Sequence, residues 1–86
     1  MLKVSVISPE ASVFEGTTDS VVAPGYDGEF GILSDHAPMM SLLGKGTLRI
    51  GTGADTRSFQ IEGGFLQIAG NEVRVVTEKA VAAQKG

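Results

Sequence analysis

Ser34, Asp35 and His36 stand side by side and supply the nucleophile, acid and base types of a hydrolase triad; His36 is the only histidine among 86 residues. Adjacent side chains on an extended loop diverge, whereas a triad needs a hydrogen bond from nucleophile to base and a third group behind the base. No Gly-x-Ser-x-Gly elbow frames Ser34, so the three residues do not read as a catalytic set. With one histidine and no cysteine, the usual zinc ligand sets are also out of reach.

Asp27 and Glu29 are two apart, a spacing that on an extended chain turns both carboxylates to one side. Gly25 and Gly28 beside them mark an exposed turn. Two readings stay open: a solvated acidic turn, or an acidic surface that guides encounter with a partner. Gly25, Gly28 and Gly31 form Gly-x-x-Gly-x-x-Gly, which is not the dinucleotide fingerprint, and no helix pattern follows to receive a phosphate. No cofactor is expected. Lys79, in Thr77-Glu78-Lys79-Ala80, raises a lipoyl- or biotinyl-type carrier, which presents a lysine at a hairpin tip. Such a tip needs a strand on each side, and only a short segment follows Lys79.

The elements that must position these residues are short strands. Leu2, Val4 and Val6 alternate with polar positions up to Ser8, the period of a half-buried strand. Residues 13–23 read as one further strand, bent or bulged where Gly16-Thr17-Thr18-Asp19 interrupts its apolar residues. Phe30 to Leu33 are an apolar patch, and Met39, Met40, Leu42 and Leu43 fit either a strand or a short helix. For Met39 and Met40, core packing and an adaptable contact surface are both open. Leu48 and Ile50 alternate on one strand, residues 51–56 read as a hairpin loop, and Phe59 and Ile61 alternate back. Gly63-Gly64 breaks the chain before Phe65-Leu66-Gln67-Ile68, and Gly70-Asn71 is a two-residue hairpin turn leading to Val73, Val75 and Val76. Eight or nine short strands at regular spacing predict an all-β fold, a two-sheet β-sandwich or flattened barrel with a short C-terminal tail.

The expected division is a sandwich over 1–76 and a tail over 77–86. The tail alone has helix-favouring composition, and ten residues are too few to hold an isolated helix, so it is either frayed or the first turn of something longer.

Composition narrows the function classes. A formal charge of −3 with seven scattered basic residues excludes a generic nucleic-acid or anionic-membrane binder, which needs clustered Lys and Arg. The first residues, Met-Leu-Lys-Val-Ser, lack the apolar run of a signal peptide, and no stretch approaches the ~18 apolar residues of a membrane-spanning helix. A soluble, cytosolic or organelle-internal chain is expected.

Gly28-Glu29-Phe30-Gly31-Ile32, followed after three residues by His36-Ala37-Pro38, resembles the signature of the epsilon subunit of F-type ATP synthases, called delta in mitochondria. Gly46-Thr47-Leu48-Arg49-Ile50, then Gly63-Gly64-Phe65-Leu66, then Gly70-Asn71 before Val73 and Val75 continue the resemblance in order over essentially the whole chain. It implies a non-catalytic sandwich domain at the foot of the central stalk, a rotor part that joins the gamma subunit to the c-ring and helps couple ion-driven rotation to ATP synthesis. The implied location is peripheral, on the cytoplasmic face of the inner membrane if bacterial, without lipid insertion. The alternative is a generic β-sandwich interaction module.

Carried over by position, the resemblance places Asp27 and Glu29 at the c-ring, and Ser8, His36, Met39 and Ser41 at gamma, with Phe30 and Ile32 anchoring the loop. Ser34-Asp35 departs from the family, where Pro and Gly or Asn are common. Relatives usually continue into two antiparallel helices, and a chain ending at Gly86 is not expected to inhibit hydrolysis or sense nucleotide through them.

Overall fold

The computed structural model describes residues 1–51 and 56–82; four residues of the hairpin loop expected at 51–56, and the tail beyond Ala82, lie outside them. Ten strands are formed: β1 Leu2–Ser8, β2 Ala11–Thr18, β3 Ser20–Gly25, β4 Gly28–Leu33, β5 Met39–Leu42, β6 Lys45–Ile50, β7 Arg57–Glu62, β8 Phe65–Ala69, β9 Glu72–Val76 and β10 Ala80–Ala82. They make two five-stranded sheets, ordered β2-β1-β9-β8-β5 and β10-β7-β6-β3-β4. The two-sheet sandwich is thus as the alternation predicts.

Period-2 burial drives the layering. Leu2, Val4 and Val6 of β1, Val73 and Val75 of β9, and Leu66 and Ile68 of β8 turn inward from the first sheet. Val21 and Ala23 of β3, Leu48 and Ile50 of β6, and Phe59 and Ile61 of β7 meet them from the second. Phe14 packs edge-on against Phe59, with ring centroids 6.0 Å apart, and the Arg57 guanidinium lies 5.6 Å from the Phe14 centroid. Ile32 is buried and Phe30 is half-buried against the core, so β4 is held by its inward positions.

Two expectations change and one open alternative closes. The bent strand over 13–23 is two strands in different sheets, separated at Asp19. Thr18 makes the corner: its hydroxyl donates to the Ser20 carbonyl at 3.2 Å, and the Ser20 carbonyl also accepts from Gly51 N–H at 2.8 Å. The ladder irregularity falls not at Gly16 but between Val6 and Ile7, which face Phe14 and Ser12 and leave Val13 unmatched. Residues 39–42 resolve as strand, because β5 closes the edge of the first sheet against β8.

The segment after Thr77 forms no helix among the described residues. Ala80–Ala82 instead add β10 to the open edge of β7. Thr77, 2% exposed, fixes this path: its hydroxyl donates to the Gly63 carbonyl at 2.8 Å, and Glu62 N–H donates to the Lys79 carbonyl at 3.2 Å. A free sheet edge supplies backbone partners that a ten-residue helix would have to find within itself.

Candidate functional site

Register places the β3–β4 hairpin tip at Tyr26-Asp27, with Gly25 opposite Gly28. Gly28 has φ 134°, a conformation L-residues rarely adopt. The tip is tied to the first sheet, since Tyr26 N–H donates to the Leu42 carbonyl at 3.0 Å and Gly25 bridges Leu43. Asp27 is exposed there, and the Tyr26 ring is 77% exposed.

Glu29 has a different setting. It sits on the outer side of β4, and its carboxylate reaches across β3 to Arg49 of β6, with Nη2 to Oε2 at 3.3 Å and both side chains about half exposed. Asp27 occupies a turn, so the two acids do not form a matched pair on one extended strand. They still line one shallow cleft, together with Phe30, Met40 and Ser41.

On the outer face of the first sheet, register aligns Leu42 with Phe65, Phe65 with Val76, and Val76 with Ile7. This apolar row crosses four strands. Leu42 is 68% exposed and Met40, two residues before it, 64%; the other three are half-buried. Phe65, Val76 and Ile7 of the row also line a groove, together with Ser8, Pro9 and Glu78. The rows nearer Asn71 are polar: Gln67 faces Arg74, Arg74 faces Ser5, and Ser5 faces Glu15.

His36 lies at the opposite end of this sheet from Ser8. Its Nδ1 is 2.8 Å from the Ala37 carbonyl, and the preceding residue, Asp35, is bound to Asn71. Asp35 and His36 therefore engage separate partners and not each other. The four residues placed at gamma do not gather in one cluster: Ser8 and His36 mark two ends, Ser41 borders the cleft, and Met39 turns inward against the core while Met40 turns out. Lys79 is exposed, in a connection that passes from β9 in one sheet to β10 in the other. That is not a hairpin tip, so the carrier geometry is not met.

Tyr26, Leu42, Phe65, Val76, Ile7 and Arg49 join this surface without a motif that singles them out in the sequence. Counting outward from the Gly70-Asn71 turn would have paired Phe65 with Val76, and Met40 with Leu42 is itself a period-2 apolar pair. The Ile7–Val76 pairing is parallel and far apart in sequence, and nothing local signals it. Chemically, the surface offers an apolar row, an acidic tip and a cleft of mixed polar and apolar lining; among the described residues no group of three His, Cys, Asp or Glu is arranged to hold a metal.

Comparison with known proteins gives a consistent picture. Residues 1–83 match the family model for the ATP synthase, Delta/Epsilon chain, beta-sandwich domain. The ATP synthase epsilon chain of Leptospira borgpetersenii is 46% identical over 77 residues, covering 90% of this chain and 61% of that one. The epsilon chain of Caulobacter vibrioides is 40% identical over 82 residues, covering 95% of each. A chain in the cryo-EM structure of the Euglena gracilis mitochondrial ATP synthase, with OSCP, F1 and c-ring, superposes with a TM-score of 0.86 over 94% of this chain and 52% of that one. At 20% identity that likeness concerns the fold.

Proposed function

This chain belongs to the ATP synthase delta/epsilon chain β-sandwich family, and from that premise we propose that it is a non-catalytic central-stalk part of an F-type ATP synthase, joining gamma to the c-ring. The chain spans 61% of the length of its Leptospira relatives, and the activity of the whole protein belongs to this proposal. The observation that carries it is the apolar row Leu42–Phe65–Val76–Ile7, which ends beside an acidic hairpin tip. An exposed apolar band with a polar rim is what a protein interface requires.

In this reading gamma covers the row and the Ser8 groove, with Met40 replacing the inward-facing Met39 as the methionine in contact. Ser41 borders that face, and the His36 loop forms its far margin. The Tyr26-Asp27 tip meets the c-ring, with Glu29 behind it. A close-packed sandwich transmits torque because its interior deforms little. The location follows from the partners: a membrane-associated complex, on the cytoplasmic face if bacterial, with contact through protein and not lipid.

Affinity co-purification tests this directly. The tagged chain should retain cognate gamma, and Leu42→Asp should lose it while remaining folded. Retention of gamma unchanged by Leu42→Asp would remove the row from the interface.

A further inference from the structure

Asp35 stands out because it is the one residue other than glycine with positive φ, at 65°, among the described residues. The left-handed region is costly for an L-residue and persists where the surroundings fix it. Here Asp35 N–H donates to Asn71 Oδ1 at 2.7 Å, and Asn71 Nδ2 donates back to Asp35 Oδ1 at 3.3 Å. Asn71 is itself anchored, since its carbonyl accepts from Lys3 N–H at 2.7 Å. The loop over 34–38 leaves β4 in one sheet and enters β5 in the other, and Ser34, Asp35, Ala37 and Pro38 are exposed. Burial alone therefore does not hold it.

We propose that Asp35 and Asn71 form a reciprocal clasp that presets the His36 loop for docking, making both positioning residues of the partner-facing surface. The inference rests on the stalk reading and adds to it the device that orders one margin of the interface before the partner arrives. A loop ordered in advance spares the complex the cost of ordering it on binding. When the competent arrangement is only fractionally populated, apparent affinity falls by that fraction. Asp35→Asn keeps both the acceptor oxygen and tolerance of positive φ. Asp35→Gly keeps the backbone but loses the Nδ2 contact, and Asn71→Ala loses both bonds.

The 86-residue chain carries the test in two measurements: amide hydrogen exchange in the free chain, and the Kd for cognate gamma. Asn71→Ala should speed exchange at Asp35 while Val4 and Val73 stay protected, and weaken gamma binding about tenfold. Asp35→Gly should fall between Asn71→Ala and wild type, and Asp35→Asn should match wild type. The clasp is overturned if Asn71→Ala leaves Asp35 exchange unchanged. It is equally overturned if the loop loosens in both Asn71→Ala and Asp35→Gly yet gamma binds as before. Wild-type chain that does not bind gamma at all would instead overturn the stalk reading, and the docking role with it. Should Asn71→Ala lose protection at Val4 and Val73 too, the Asp35→Gly affinity decides.

Discussion

Glu29 and Arg49, twenty residues apart in sequence, meet across the intervening strand β3 with their charged groups 3.3 Å apart. The pair cancels one of the two acids at the β3–β4 hairpin and leaves Asp27, at the exposed tip, as the charge available to a partner. An exposed pair of this kind is worth about 0.2–1 kcal/mol, so its consequence lies in charge presentation more than in stability.

Asp27→Lys should therefore weaken association with the c-ring more than Glu29→Gln does, and its effect should shrink with added salt, since exposed charges are screened. Both variants should keep wild-type stability within about 1 kcal/mol, the upper end for an exposed pair. Binding assays at low and high ionic strength read this ranking, and a larger effect from Glu29→Gln would reverse the assignment.

The exposed apolar row predicts a separation of binding from folding. Leu42→Thr preserves strand propensity on β5 and removes a side chain that is 68% exposed. Gamma binding should weaken by about 1–2 kcal/mol, the scale of an interface anchor, with little change in thermal midpoint. Calorimetric titration beside a melting curve checks both halves.

Gly64 is a backbone requirement of the fold. At φ 108° its added Cβ would collide with the Val76 carbonyl oxygen and sit 2.7 Å from Thr77 Cα. Gly64→Ala should destabilise by about 3 kcal/mol or more, combining conformational strain with the displacement of β9. Urea unfolding would read this, and a loss below about 0.5 kcal/mol, the range of an ordinary surface change, would contradict the steric argument.

Thr77→Val keeps shape and removes the hydroxyl that donates to Gly63. A loss of about 1–2 kcal/mol is expected from the unpaired carbonyl, together with faster amide exchange over Ala80–Ala82 than in β6. Uniform acceleration across the sandwich would mean that Thr77 anchors the whole core and not β10 alone.

How much of this was legible in the sequence depends on whether the signal is local. Leu2, Val4 and Val6, or Leu48 and Ile50, show their buried face by alternation, and Gly70-Asn71 shows its turn. The passage from one sheet to the other at Asp19 looks in sequence like a bend, because the Thr18 corner and the Gly51 amide that secure it are contributed by the folded structure. In sequence Met39 and Met40 are ambiguous for a related reason: only the pairing of β5 with β8 decides which turns inward. The segment at 80–82 has helical composition yet follows the unpaired edge of β7, a tertiary override of weak local preference. The Glu29–Arg49 pair and the Asp35–Asn71 clasp, 20 and 36 residues apart, leave no local pattern at all.

The chain contains no cysteine, so single cysteines can be introduced at Asp27 and at Leu42 and coupled to a short photo-crosslinker in the assembled synthase. Crosslinks from Asp27→Cys to c subunits and from Leu42→Cys to gamma are the result expected of a stalk domain docked through these two surfaces. Crosslinks exchanged between the two partners, or absent from both positions in an assembly that contains the chain, would contradict it.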